Sequence, residues 1–232
     1  MSNKVVQLNR IGTVTFSRNK RSKNIKISVK PDKTVMVSFP FFVSGKEVVA
    51  FVQKNEDWIK KQQQRFESKK NRIDAGSEIK TKLHTLLFFQ GEKNKVVSEG
   101  NRIIVFVTNF DAEEVQEYIE ELITEIYRYE AKKLLPPRLY QLAGQHGFGY
   151  QKVTIRNNKR NWGSCSAKNN ISLNLQMMKL PDELIDYILL HELVHTKIKN
   201  HGVEFWKRLD QLTGGNARQL AKQVKQFSTY TL

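Results

Sequence analysis

The sequence predicts an α+β protein in two parts. A β-rich N-terminal region spans residues 1–110 and carries one helix at about 44–70; a second domain, residues 111–232, is built around a buried helix. Three observations predict this. Short runs of β-branched and aromatic residues, separated by turn residues, fill the first part. A long segment from Asp111 keeps apolar residues at helical spacing. Leu184–Val194 is apolar on nearly every side, as expected of a helix enclosed by its own domain.

Thr13–Phe16, Ile25–Val29 and Val35–Phe39 read as strands, divided by the turn residues Arg18-Asn19-Lys20 and Pro31-Asp32-Lys33. Pro40 ends the third. Ser44 and Glu47 make a capping box ahead of a helix bearing Val48, Val49, Phe51, Val52, Trp58 and Ile59. Gly76 breaks the chain. Ile79–Phe89 and Arg102–Thr108 are further strands, next to turn residues at Gly91–Asn94 and Glu99–Asn101. The helix from Asp111 opens with Glu113, Glu114, Glu117, Glu120 and Glu121, which suit its positive end. Val115, Tyr118, Ile119, Leu122, Ile126 and Tyr129 keep its spacing. Pro136-Pro137 should break or kink it, with Arg138–Gln145 continuing. Val153–Ile155 and Ile171–Leu175 are the last strands. Pro181 suits the first helical position of the apolar helix, because its missing N–H costs nothing there. No internal repeat or low-complexity tract is visible.

A chain of 232 residues that is 39% hydrophobic and 10% aromatic can bury a core, which excludes a wholly disordered protein. Lys and Arg number 39 against 23 Asp and Glu, a formal charge of +16 with pI near 9.8. The charge is uneven. Residues 1–75 hold 17 basic and 6 acidic groups, residues 76–150 hold 9 and 11, and residues 151–232 hold 13 and 6. Lys20, Arg21, Lys23, Lys26 and Lys30 cluster on the early strands, which makes nucleic acid or another polyanion a candidate partner of the N-terminal region. A solvated basic surface is the alternative, and the aromatic residues nearby read as core rather than as a stacking platform. The single cysteine, Cys165, excludes a disulfide framework and a multi-cysteine zinc ribbon. Met1–Val14 has no apolar run of signal-peptide length, and the longest apolar stretches, such as Leu86–Phe89, are too short to cross a bilayer. A cytoplasmic protein with no membrane partner is expected. The sequence carries no signal for an oligomeric state.

The apolar helix contains His191-Glu192-Leu193-Val194-His195. Histidines four apart lie one above the other on one helix face, so both imidazoles reach the same ion. His201 follows six residues later. A catalytic zinc needs three protein ligands and an open position, and His191, His195 and His201 supply the three. Glu192 stands beside them as general base and proton carrier. Ionisable residues on an apolar helix are costly without a partner, and an ion provides one. The expected cofactor is one Zn2+, with another divalent ion as the alternative. The expected chemistry is metal-assisted hydrolysis, most simply of a peptide bond in a peptide or protein substrate. The spacing of the three histidines is similar to that of the metzincins, although Ile198 stands where their pattern has a turn glycine. Asn200-His201-Gly202 is a better place for the turn, since Asn and Gly accept the left-handed conformation; His201 then begins the next short helix.

Other residues admit two readings each. Arg156 and Arg160 either hold an anionic substrate group or are solvated surface. Trp162-Gly163-Ser164-Cys165 lines the cleft, or is a tight turn with Trp162 packing on the core. Asn174 binds substrate backbone or makes strand-end hydrogen bonds. Cys165 is a fourth ligand, a redox switch or a buried thiol. Glu204 is a rival to His201 as ligand. His84 and His146 read as surface or structural histidines.

With these residues in view, the chain resembles the YgjP-like, or DUF45, predicted metallopeptidases, relatives of the SprT-like and M48-type zincins. The resemblance is carried by Arg160-Asn161-Trp162-Gly163-Ser164-Cys165-Ser166, Ile171-Ser172-Leu173-Asn174, Pro181 and Tyr187. It continues through the His191–His195 motif, Asn200-His201 and Phe205-Trp206. In the N-terminal third it is carried by Arg18–Val29, Val35–Pro40 and Trp58-Ile59; residues 76–110 match least. The resemblance implies a zincin-like metallohydrolase domain, with an edge strand across a cleft above the metal helix. It implies His191, His195 and His201 as ligands and Glu192 as catalytic acid and base. Some members look peptidase-like, while others point to nucleotide pyrophosphate hydrolysis. A metal-dependent nucleoside triphosphate pyrophosphatase is therefore the rival enzyme, and a nucleic-acid-associated module with a structural metal site is the rival outside catalysis.

Overall fold

The computed structural model describes residues 4–30, 33–67 and 72–232. The turn expected at Pro31-Asp32 and the expected helix end at 68–70 lie outside the described residues. Contacts group the chain into two compact units, Met1–Asn71 plus Leu232, and Arg72–Thr231.

In the first unit, β1 (Lys4–Leu8), β2 (Gly12–Arg18), β3 (Lys26–Val29) and β4 (Val35–Phe39) form one sheet in the order β1-β2-β4-β3. β2 and β4 run parallel, and the outer pairs are antiparallel. Side chains alternate across a strand, so Val14 and Phe16 of β2 and Val35, Val37 and Phe39 of β4 share one face. They are buried with Ile11, Val48, Val52 and Ile59. The single helix expected next is two, α1 (Gly45–Lys54) and α2 (Glu56–Glu67). The Ser44–Glu47 capping box is present. Asn55 parts the helices: its backbone N–H and its side-chain amide both donate to the Phe51 carbonyl, the latter at 2.8 Å.

The second unit opens with β5 (Glu78–Lys80), β6 (Thr85–Gln90), β7 (Lys95–Glu99) and β8 (Arg102–Val107), ordered β5-β6-β8-β7. The central pair is again parallel and the flanking pairs antiparallel. This is the plan of the first sheet, strand for strand. The pairs Val14↔Val35, Phe16↔Val37 and Arg18↔Phe39 correspond to Leu86↔Ile103, Phe88↔Val105 and Gln90↔Val107. The bond closing the end of the central pair recurs too: Asn19 N–H to Phe39 O and Gly91 N–H to Val107 O, each 2.9 Å. The chain therefore contains a repeat of topology, contrary to the sequence reading. Among the corresponding residues just named, only Phe16/Phe88 and Val37/Val105 are identical, so the repeat lives in pairing and alternation and not in residue identity.

The long helix, α3 (Glu113–His146), runs unbroken through Pro136 and Pro137. Each proline removes one N–H, and the carbonyls released are those of Lys132 and Lys133 on the exposed face. The opposite face, with Ala131, Leu135 and Leu139, is buried and holds the helix together. Two buried polar residues on α3 join it to the preceding sheet. Gln116 bonds both the N–H and the carbonyl of Ile73 and the carbonyl of Phe110. The Glu130 carboxylate accepts from Thr81 Oγ1, the backbone N–H groups of Lys82 and Leu83, and His84 Nδ1. The boundary expected at 110 thus falls inside this unit.

β9 (Lys152–Arg156), β10 (Gly163–Cys165) and β11 (Asn170–Asn174) form a third sheet in the order β10-β11-β9. β10 pairs with β11 alone and is an edge strand. A 3-10 turn (Leu175–Lys179) leads to α4 (Asp182–Val194), α5 (Val203–Leu212) and α6 (Ala217–Val224). The start of α4 is tied by Lys82 to Asp182, and its next turn by the Arg138 guanidinium to both oxygens of Asp186. No described helix is long and apolar enough to cross a membrane.

Candidate metal centre

α4 is buried over Leu184, Ile185, Tyr187–Leu190 and Glu192–Val194, as its all-round apolar sequence predicts. It ends at Val194, where Thr196 Oγ1 donates to Leu193 O at 2.7 Å. His195 sits at the helix C-cap. The chain then turns back and presents His201. Gly202 is the N-cap of α5, so His201 precedes that helix and does not begin it. Neither Asn200 nor Gly202 has positive φ, so this turn does not use the left-handed conformation expected there.

The three histidines converge. Their Nε2 atoms are separated by 3.2 Å (His191–His195), 3.0 Å (His195–His201) and 3.1 Å (His191–His201). His195 Nδ1 lies 3.0 Å from the Ile198 carbonyl. A carbonyl can only accept, so Nδ1 carries the proton and Nε2 of His195 faces its neighbours as a bare lone pair. Burial, with the two neighbouring histidines, pushes the His191 imidazole down to about 3. Burial also lowers His195, against the bond to Ile198, which raises it. Neutral imidazoles with converging lone pairs are a donor set for a cation. Nitrogens bound tetrahedrally at about 2.0–2.1 Å from an ion would lie about 3.3 Å apart. The observed separations fit a small divalent ion. Among the described residues these three form the only cluster of this kind; Glu204 and Cys165 are not part of it.

Two residues complete the site: Phe205, with no role there expected from the sequence, and Gly163, expected only as part of a run lining the cleft. Phe205, fully buried on α5, packs against all three imidazoles, with ring centroids 4.8, 4.6 and 4.7 Å from His191, His195 and His201. Its signal was the register of α5, one turn beyond His201. Gly163, on the edge strand, lies against Glu192. A Cβ there would come within 2.7 Å of Glu192 Cγ and Oε1. Only glycine permits this approach. Glu192 itself is 4% exposed, and its Oε2 has no hydrogen-bond partner. Burial raises its carboxyl to about 8.

The remaining candidates take supporting or peripheral places. Asn174 is buried, and its side chain is fully engaged by its own chain. The amide donates to the carbonyls of Asn158 and Asn161, and Oδ1 accepts from Gln176 N–H at 3.1 Å. Of its two readings, hydrogen bonding at the strand end is the one observed. Trp162 is half-buried, and its carbonyl accepts from Asn174 N–H at 2.8 Å. Arg156 and Arg160 are exposed. The Cys165 thiol is half-buried and raised chiefly by burial; its Sγ lies 3.9 Å from Lys199 Nζ. Lys199 also donates to Ser166 O and Asn169, fastening the loop between the second and third histidines to the β10–β11 turn. His84 pairs with Glu130, and His146 ends α3.

The family model of the YgjP-like metallopeptidase domain matches residues 23–227. Among solved structures, the chain is similar to a metallopeptidase zymogen of Pyrococcus abyssi, abylysin, at 26% identity over 39% of this chain and 91% of that one, with a TM-score of 0.36. It is also similar to a metallopeptidase zymogen of Methanocaldococcus jannaschii, jannalysin, at 26% identity over 40% and 94%, with a TM-score of 0.36. No curated protein matches the chain. The family match covers most of the sequence, including His191, Glu192, His195 and His201, and the chain belongs to the YgjP-like family of metallopeptidases.

Proposed function

We propose that the chain hydrolyses peptide bonds with one zinc ion held by His191, His195 and His201 and with Glu192 as general base. One arrangement carries this reading: three imidazole nitrogens within 3.2 Å of one another, and next to His191 in the chain a buried carboxylate, Glu192, whose Oε2 has no partner. When bound, the ion polarises a carbonyl oxygen and brings the pKa of water toward about 7. Glu192 takes the water proton at Oε2 and passes it to the leaving amine. Its burial favours the protonated form needed midway through that transfer, while positive charge at the triad opposes the shift. The free edge of β10 offers backbone N–H and C=O groups to an extended substrate. Gly163, lacking a side chain, lets Glu192 lie against the strand that would hold the substrate. Arg156 and Arg160 are exposed near the same end of this sheet, suited to an acidic side chain of the substrate. Cys165, a free thiol, suits a reducing compartment such as the cytoplasm.

The test is metal content by mass spectrometry, followed by parallel assays on a casein-derived peptide pool and on nucleoside triphosphates. Peptides should be cleaved and nucleotides left intact. Glu192→Gln should keep the ion and lose at least about 100-fold in turnover. Full turnover in that variant, or hydrolysis of nucleotides alone, would overturn the proposal.

A further inference from the structure

The first unit carries a surface that peptide hydrolysis does not use. No acidic residue precedes Asp32 in the sequence. The connection from β2 to β3 brings Arg18, Lys20, Arg21 and Lys23 to one end of the sheet. The segment leaving β4 lies beside it, joined by the Asn19 N–H to Phe39 O bond. That segment exposes two phenyl rings, Phe41 at 50% and Phe42 at 81%. The Arg18 guanidinium carbon is 5.8 Å from the Phe41 ring centroid, and Lys20 Nζ is 5.9 Å from it. Glu47, the nearest following acid, is engaged by Ser44 in the capping box. The aromatic residues here divide: Phe16 and Phe39 belong to the core, as the sequence reading had them, whereas Phe41 and Phe42 do not.

The second sheet is an internal control. Gly91 and Val107 correspond to Asn19 and Phe39, so Asn109 and Phe110 stand where Phe41 and Phe42 do. Phe110 is 8% exposed, and the connection from β6 to β7 holds a single cation, Lys93, next to Glu92. The sheet plan thus requires neither the exposed rings nor the cluster of cations.

We propose that this end of the first unit binds single-stranded nucleic acid, with phosphates on Arg18, Lys20, Arg21 and Lys23 and bases stacked on Phe41 and Phe42. Alternating charge and π-faces match the repeating phosphate and base of an unpaired strand. Bases in a duplex are already stacked on one another and leave the rings without partners. Two phenyl rings on a turn are a small apolar area for a membrane anchor, which is ordinarily an amphipathic helix or a lipid chain.

The test is fluorescence anisotropy of the full chain with a labelled oligothymidylate of about 15 nucleotides. A duplex of the same length and phosphatidylserine vesicles serve as the other probes. The single strand should bind in preference to both, and its affinity should fall steeply between about 50 and 200 mM salt. Phe42→Ala should weaken it about tenfold. Arg21→Gln with Lys23→Gln should reduce the slope of log affinity against log salt by about 1.4, or 0.7 for each lost phosphate contact. These side chains are exposed, so circular dichroism and peptidase activity should not change. Absence of binding at low salt, indifference to Phe42→Ala, equal binding of the duplex, or Phe42-dependent binding of vesicles alone would each overturn the proposal.

Discussion

The two four-stranded sheets share strand order, pairing sense and register, yet they serve different surroundings. In the first, the strands close over an apolar core, and the connections at one end carry cations and exposed rings. In the second, the same connections are quiet, and the buried polar groups lie close by in Gln116 and Glu130. Every buried polar or charged residue among those described belongs to the second unit, including Glu192 and His195. Pairing and alternation fix the sheet plan, and the loop residues and the polar contents of the core vary around it. In this chain the second unit holds the candidate chemistry and the first holds most of the net positive charge.

Substitutions can separate the two. The largest expected effect is at the triad. His195→Ala should lose the ion and more than about 1,000-fold in peptidase turnover, with oligonucleotide affinity unchanged. Loss of both readouts would break the division of labour.

Next is the pH dependence of stability in the ion-free protein. Glu192, held at about 8 against an ordinary 4.5, ionises in the unfolded chain before it does so in the folded one. Its contribution to stability is therefore lost as pH rises from 4.5 through about 8. His191, held at about 3 against 6.5, takes its proton first in the unfolded chain, so its contribution is lost as pH falls from 6.5 toward 3. Together they place the optimum of the second unit where the two ranges overlap, at about pH 4.5–6.5, where the opposing slopes cancel. Glu192→Gln should remove the alkaline loss, worth up to about 5 kcal/mol, as read by denaturant unfolding at about pH 8 and above. The first unit, with no buried polar residue among those described, should show no comparable dependence.

A smaller contrast tests the repeat itself. Phe110→Ala should cost about 3 kcal/mol of stability, whereas Phe42→Ala, at the corresponding position, should stay within about 0.5 kcal/mol. Equal costs would contradict the correspondence. The smallest effect is at Gly163→Ala, where the added methyl displaces Glu192. Turnover should fall roughly tenfold to a hundredfold while metal content holds.

Much of the candidate site was legible in the sequence, because it depends on short-range spacing. His191, Glu192 and His195 sit on one turn of helix, and the apolar residues around them mark that helix as buried. The central strands were legible as well, since Val14–Phe16, Val35–Phe39 and Arg102–Val107 are rich in β-branched and aromatic residues. The parts that stayed hidden depend on tertiary contact. β10 is three residues, Gly-Ser-Cys, with no strand propensity, and exists through its pairing to β11. α3 survives two prolines because its buried face holds the turn that they weaken. Phe205 looks like any core aromatic until its three imidazole neighbours are known. The repeat left only two identities, Phe16/Phe88 and Val37/Val105, among the paired positions compared, and the boundary near 71 was hidden because Gln116 and Glu130 reach back to positions more than forty residues earlier.

The reach of Glu130 bears on how the molecule can be cut down. α3 is a rod of about 50 Å, and midway along it this carboxylate has no solvent exposure and four donors, all from the turn at Thr81–His84. A minimal peptidase that begins at the rod, at 111, would strip away every one of those donors and the turn that covers the carboxylate. The shortest self-sufficient fragment should begin at Arg72, keeping a small sheet that touches no ligand yet satisfies the buried acceptors in the middle of the scaffold.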